Sequence, residues 1–132
     1  MKTRALVVGG VVVLAGLLLR GPVGLGGVPE RERGRPIRVE VLNGSGVNRA
    51  GQGLAEHLRA EGFDVVDIRN ADRADYEETV VLDRAGNRRF AESVARELGA
   101  GDPVTHRDED LLLEVTVILG RDRAKEFVGG VP

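Results

Sequence analysis

Apolar and polar residues alternate from Ile37 to Val41, with Arg38 and Glu40 between the apolar positions, and this period of two predicts a half-buried β-strand. Three later apolar segments also favour strands, at residues 63–68, 79–82 and 111–119. The last of these is rich in Leu and Val, which indicates a central strand or one buried on both faces. Residues 104–105 are a candidate for a short fifth strand at an edge.

Two segments between these strands have the period of an amphipathic helix. In residues 48–60, Leu54 and Leu58 lie one turn apart on the face that we expect to be buried. The second helix is predicted to follow Asn87, which fits the N-cap position, and to end at Leu98. Its apolar residues recur every four positions, as an inner face requires.

The elements therefore come in the order strand–helix–strand–strand–helix–strand. Two helices are too few to cover both faces of such a sheet, so we predict an α+β fold with both helices on one face of a four-stranded, or five-stranded, sheet. The ferredoxin-like arrangement has this order. A right-handed crossover makes the first two strands parallel, and their carboxyl ends then lie on one rim of the sheet.

The N-terminus has a different pattern. Residues 1–4 form a basic tail, and the next fifteen residues carry no charge before Arg20. A membrane-spanning helix needs about 20 residues, with a lower limit near 17, and the span can extend past Arg20 because residues 21–28 also carry no charge. We predict a transmembrane anchor, or an uncleaved signal, at residues 5–20; a cleaved signal peptide is the alternative. The basic tail favours a cytoplasmic N-terminus, which predicts a single-pass protein of the cell membrane with its folded domain on the extracytoplasmic side.

Composition divides the rest of the chain. Residues 21–35 are rich in Gly, Pro, Arg and Glu and are predicted to be a flexible linker, residues 36–122 the folded domain, and residues 123–132 a frayed tail. The chain has no cysteine, which excludes disulfides and thiolate metal sites. Residues 36–122 contain 18 Asp and Glu against 11 Arg, a formal charge of −7 that argues against nucleic acid as a partner.

The predicted rim of the sheet collects polar and glycine residues from three strand ends. These candidate ligand-binding residues are Asn43, Gly44, Ser45, Gly46, Arg69, Asn70, Tyr76 and Thr79. Two interpretations remain open: these residues form a ligand-binding loop, or they only stabilise turns and a helix start. A dinucleotide-binding motif is disfavoured because Arg49 stands where that motif has Gly or Ala.

Four segments together resemble a known family: V-E-V-L-N-G-S-G-V, A-E-H-L-R-A-E-G-F-D-V, N-A-D-R-A-D-Y-E-E-T-V-V and V-T-V-I-L-G-R-D. They are similar to the C-terminal domain family of the LytR cell-envelope attenuators, over residues 37–122. The resemblance implies the stand-alone form of that domain behind a single membrane helix, in the envelope of a Gram-positive-type bacterium. It carries over no catalytic residues.

The resemblance and the rim together predict a non-catalytic domain that binds a cell-wall polymer, such as peptidoglycan or another wall glycan, or an envelope component. The alternative is a scaffold that assembles cell-wall enzymes or pairs with itself. No cofactor and no metal are expected, because the acidic run near His106 lacks the spacing of a calcium loop. An enzyme is disfavoured, because Ser45 and Ser93 have no convincing catalytic base or acid partner in the sequence.

Overall fold

The structure, a computed structural model, describes residues 31–32 and 34–128. The strands in this part of the chain are Arg31–Glu32 (β1), Arg35–Pro36 (β2), Arg38–Asn43 (β3), Asp64–Asn70 (β4), Val80–Asp83 (β5), Val104–Thr105 (β6) and Val115–Leu119 (β7). The helices are Ala50–Ala60 (α1), Arg88–Leu98 (α2) and Arg121–Ala124 (α3), and single turns of 3-10 helix lie at Glu109–Leu111 and Lys125–Phe127. Strands β1 and β2 form a small antiparallel ladder of their own.

The other five strands form one mixed sheet in the order β4-β3-β7-β5-β6. Strand β3 is parallel to both β4 and β7, while β5 runs antiparallel to β7 and parallel to β6. The predicted parallel orientation of the first two strands is confirmed, and so is the short edge strand at Val104–Thr105. Since β7 occupies the centre, the expectation that the last apolar segment is a central strand is also confirmed.

One face of this sheet carries the core. Val39 and Val41 of β3 and Val115 and Val117 of β7 have no exposed surface. They form one cluster with residues from both long helices, among them Leu54, Leu58, Phe90, Val94 and Leu98. Helices α1 and α2 thus supply the second layer, and the α+β prediction holds with a five-stranded sheet and a short third helix.

Helix ends follow local sequence signals to different degrees. The side chain of Asn87 accepts a hydrogen bond from the backbone N–H of Arg89, so α2 begins as its predicted N-cap requires. Gly99 ends α2 in the left-handed conformation. Helix α1 begins two residues later than predicted, because Arg49 itself adopts a left-handed conformation with φ 70°.

Three features differ from the sequence-based expectations. Strand β4 pairs directly with β3, so the arrangement is not ferredoxin-like, in which the βαβ unit is split. Strand β7 begins only at Val115, because the side chain of Asp108 caps a 3-10 turn over part of the expected strand. Residues 123–128, expected to be frayed, form the end of α3, where Ala124 is fully buried, and the 3-10 turn that follows it.

The predicted transmembrane anchor at residues 5–20 lies outside the described residues, as does most of the predicted linker. Within residues 31–32 and 34–128, no helix is long and apolar enough to cross a membrane.

Candidate functional site

The carboxyl ends of three strands meet at one rim of the sheet. Asn43, the last residue of β3, lies between Asn70 at the end of β4 and Leu119 at the end of β7. The antiparallel strand β5 starts at the same rim, because Val80 is paired with Ile118. The structure therefore brings the predicted site residues to one end of the domain, as the parallel βαβ unit requires.

The turn after β3 is held by its own side chains. Asn43 Oδ1 accepts hydrogen bonds from the Ser45 backbone N–H at 3.1 Å and from Ser45 Oγ at 2.7 Å. Ser45 Oγ in turn accepts from the Val47 N–H at 3.0 Å, and Asn43 Nδ2 donates to the Val47 carbonyl at 2.9 Å. Ser45 is only 2% exposed. Asn43 and Ser45 thus shape the turn, and their polar atoms are largely occupied by it.

Gly44 and Tyr76 fit against each other on the helix-free side of the rim. A Cβ atom on Gly44 would overlap the Tyr76 ring, which explains why glycine follows Asn43. Tyr76 Oη donates to Asp72 Oδ1 at 2.9 Å, and the Arg73 guanidinium lies 4.1 Å from the ring centroid. The hydrogen bond to Asp72 is the main cause that raises the pKa of Tyr76 above its ordinary value. Tyr76 consequently anchors the loop before β5 and has one ring face covered by Arg73.

Thr79 also has a role within the fold. It is 6% exposed, its hydroxyl donates to Asp122 Oδ1 at 2.8 Å, and it accepts from the Gly120 N–H at 3.0 Å. Gly120 has no room for a side chain, because a Cβ there would overlap the backbone of Glu78. Thr79 therefore ties the start of β5 to the end of β7 and does not line the cavities described next.

Two adjoining cavities open at the rim. The larger, of about 500 Å³, lies between the first turn of α1 and the end of β4. Its lining consists of Asn43, Asn48, Arg49, Gly51, Gln52, Ile68, Arg69 and Asn70. The second, of about 460 Å³, shares Asn43, Asn48, Arg49 and Asn70 and extends along the loop to Ala74. The larger cavity is thus lined mainly by residues with side-chain amides and by two arginines.

Arg49 is held in a strained conformation beside both cavities. Its φ of 70° lies in the left-handed region, which costs a non-glycine residue about 1–2 kcal/mol. Its side chain is exposed, does not cap α1, and has no ion pair or hydrogen bond with any of the residues that the structure describes. No hydrogen bond or ion pair of this side chain therefore offsets the strain within the described domain.

Arg69, in contrast, is charge-paired on the helix-free face of the sheet. Its Nη2 donates to Glu40 Oε1 at 3.0 Å and its Nε to Asp67 Oδ2 at 2.9 Å. Glu40 is 2% exposed, and its second oxygen accepts from Thr116 Oγ1 at 2.7 Å. The hydrogen bond and charge of Glu40 raise the pKa of Arg69. Arg69 is therefore a cavity-lining residue whose guanidinium is already balanced by two carboxylates.

Three polar residues of the larger cavity were not among the predicted site residues: Asn48, Arg49 and Gln52. Asn48 and Arg49 lie in the connection between the turn and α1, and Gln52 is in the first turn of that helix. The available signal was their position, since residues that immediately follow a strand–turn–helix junction lie at the rim with the turn.

The remaining candidates for chemistry lie elsewhere or are paired. His57 Nε2 contacts Glu97 Oε2 at 3.0 Å between the two helices. His106 Nδ1 lies 2.7 Å from Arg84 Nη1, near the opposite end of β5. Among the described residues, no group of three or more His, Cys, Asp or Glu side chains is placed to hold a metal ion.

The structure thus defines a small α+β domain with a polar cavity at the carboxyl ends of its parallel strands. Its sequence matches a family model described as LytR cell envelope-related transcriptional attenuator (LytR_C) over residues 36–122, which is 87 of the 132 residues. The chain belongs to this family, and the domain is a cell-envelope related one of a regulatory type that is not known to be catalytic. No curated protein and no solved structure gave a significant match.

Proposed function

We propose that this chain is a membrane-tethered, extracytoplasmic, non-catalytic domain that binds a cell-wall polymer in the rim cavity. Family membership supports a role in the cell envelope. The uncharged segment after the basic N-terminal tail supports the tether and its orientation. The ligand class and the site come from the cavity itself.

The observation that carries the proposal is the set of free amides in this cavity. The side chains of Asn48, Gln52 and Asn70 line it and have no hydrogen-bond partner in the described part of the chain. Each amide offers both a donor and an acceptor. A sugar or polyol hydroxyl also both donates and accepts, so a hydroxyl-rich polymer matches this lining well. A cavity of about 500 Å³ accommodates one or two sugar-sized units.

The state of the nucleophilic side chains supports a non-catalytic role. The Ser45 hydroxyl is buried and engaged by Asn43 and Val47, so it is not available to attack a substrate. Neither described histidine lines a rim cavity. A hydrolytic or transfer mechanism at the rim would need an activated nucleophile and a base within hydrogen-bond reach of each other.

The test is co-sedimentation of the full-length chain, kept in a nonionic detergent, with isolated sacculi of a Gram-positive bacterium. A double variant, Gln52→Ala with Asn70→Ala, is expected to bind about tenfold more weakly, because it removes two hydroxyl partners. Glu56→Ala is the matched control, since Glu56 is exposed one turn further along α1 and lies outside the cavity. Circular dichroism establishes that all three proteins are folded.

Failure of the parent chain to sediment with sacculi would contradict polymer binding. Equal binding by the parent chain and the double variant would contradict the assignment to this cavity.

A scaffold function is the second candidate, and a different surface favours it. Among the described residues, the exposed large apolar side chains are Val66, Val104 and Leu112. Val104 is level with Glu40 in the sheet register, and the Leu112 carbonyl accepts from Arg38 at the start of β3. Val104 and Leu112 thus lie in the half of the domain away from the rim, while Val66 is on β4, the opposite edge strand from that of Val104. Chemical crosslinking of the full chain in detergent, compared with a Leu112→Ser variant, tests whether this half contacts a second copy or an envelope enzyme.

A further inference from the structure

We infer that the polymer held in the rim cavity is an anionic one, and that Arg49 contacts its phosphate or carboxylate groups. The inference rests on the proposed function, because it names the chemical class of the ligand at the same site. It is carried by the distribution of charge around the cavity, which differs from that of the domain as a whole.

The cavity is free of carboxylates although the domain is acidic. Residues 36–122 have a formal charge of −7, yet no Asp or Glu lines the larger cavity. The adjoining cavity has one carboxylate in its lining, Asp72, and that group already accepts a hydrogen bond from Tyr76. An anion entering the larger cavity therefore meets no unpaired negative charge.

Arg49 is the cation available to such an anion. Arg69 is paired with Glu40 and Asp67, and Arg73 in the second cavity is paired with Asp75 at 2.8 Å. Arg49 lines both cavities, and no carboxylate among the described residues lies within ion-pair distance of it. A guanidinium presents a fork of donors that matches the oxygens of a phosphate or a carboxylate.

The neighbouring amides define the rest of the ligand. Asn48, Gln52 and Asn70 match hydroxyl groups better than further charges, because a neutral amide both donates and accepts. Together with Arg49 they fit a repeating unit that carries one acidic group among several hydroxyls. A polyol phosphate and an acidic sugar both have this chemistry.

The experiment uses the full-length chain in detergent, sedimented with three preparations of the same sacculi. The first sample is untreated, and the second is treated with hydrofluoric acid to remove phosphodiester-linked polymers. The third is again untreated, but its binding is measured at about 0.5 M salt, where charge–charge attraction is strongly screened. The variants are Arg49→Gln and, as the matched control, Arg96→Gln. Arg96 is exposed on α2 and lines neither rim cavity, so both variants lose one surface charge.

With untreated sacculi, Arg49→Gln is expected to bind about tenfold more weakly than the parent chain, whereas Arg96→Gln is expected to bind as the parent chain does. High salt is expected to weaken binding of the parent chain by a similar factor. Loss of binding after hydrofluoric acid assigns the charge to phosphate. Retention that still depends on Arg49 and on salt assigns it to a carboxylate.

Two other results overturn the inference, and they are distinguishable. If the parent chain binds untreated sacculi while Arg49→Gln binds equally well and salt has no effect, the polymer is neutral and the proposed function survives. If the parent chain binds no sacculi at all, the proposed function fails and the inference fails with it. Circular dichroism of each variant establishes that a loss of binding is not a loss of folding.

Discussion

Replacing Arg49 with glycine is expected to stabilise the domain while it weakens polymer binding. The left-handed conformation of Arg49, with φ 70°, costs about 1–2 kcal/mol in a residue with a Cβ atom. Glycine avoids this cost but loses about 0.5–1 kcal/mol through its greater freedom in the unfolded chain. The Arg49 side chain makes no hydrogen bond to α1, so no cap is lost. The expected net gain is about 0.5–1 kcal/mol, or about 2–8 °C in Tm for a domain of this size.

Thermal and urea unfolding followed by circular dichroism measure the gain, and sedimentation with sacculi measures the loss of binding. Leu112→Gly is the matched control: Leu112 is the other non-glycine residue with positive φ in the described chain, at 56°, and is 73% exposed. This control is expected to be stabilised by a similar amount with binding unchanged. The reasoning would be refuted if Arg49→Gly were less stable than the parent while Leu112→Gly was more stable, because Arg49 would then stabilise the fold.

The remaining predictions concern the groups around the rim and the core. Arg69→Met is expected to lower the free energy of unfolding by about 3 kcal/mol, because it removes a partner of the buried Glu40 carboxylate. Glu40→Gln is expected to lower it by only about 1 kcal/mol, because the group that loses its partner is an exposed guanidinium. Urea unfolding that gave the opposite order would contradict this account of the pair. Tyr76 is the single tyrosine of a chain without tryptophan, so phenolate absorbance reports its pKa alone. The pKa of Tyr76 is expected to lie above the ordinary value of about 10 and to return towards that value in the Asp72→Ala variant. The stabilisation from this hydrogen bond is present at neutral pH and is lost as the pH rises through the raised pKa. A titration that Asp72→Ala leaves unchanged would exclude the hydrogen bond as the cause. Gly53→Ala is expected to destabilise the domain by about 1–3 kcal/mol, measured by urea unfolding, although alanine has the better helix propensity. The reason is that the new Cβ overlaps the Phe127 carbonyl, in the turn that follows α3. A more stable variant would show that this turn does not pack on α1.

Local signals in the sequence were sufficient for most elements. The alternation around Val39 specified β3, and the Asn87 cap with the helical spacing of apolar residues specified α2, because these patterns depend on neighbours within one or two turns. The same signals were insufficient at the start of α1. There the left-handed Arg49 interrupts a sequence that otherwise suits a helix two residues earlier.

The position of the site could be predicted from the sequence, but not which of its side chains are free to bind a ligand. Because the first two strands are parallel, Asn43 and Asn70 had to reach the same rim. Which of the rim side chains remain free depends on contacts between distant segments. Thr79 is engaged by Asp122 across 43 residues of chain, whereas the amide of Gln52 has no partner in the described structure.

The sequence by itself determined the α+β class, the edge on which the polar strand ends meet, and the membership of the family, since all three follow from local patterns and their order. Only the tertiary structure decided that β7 lies between β3 and β5, because strand order depends on which pairing buries the most apolar surface across the whole chain. It also decided that Glu40, polar in an alternating strand, is buried beside Thr116 from the neighbouring strand. No local pattern contains that information, since the partner that satisfies the carboxylate lies 76 residues away.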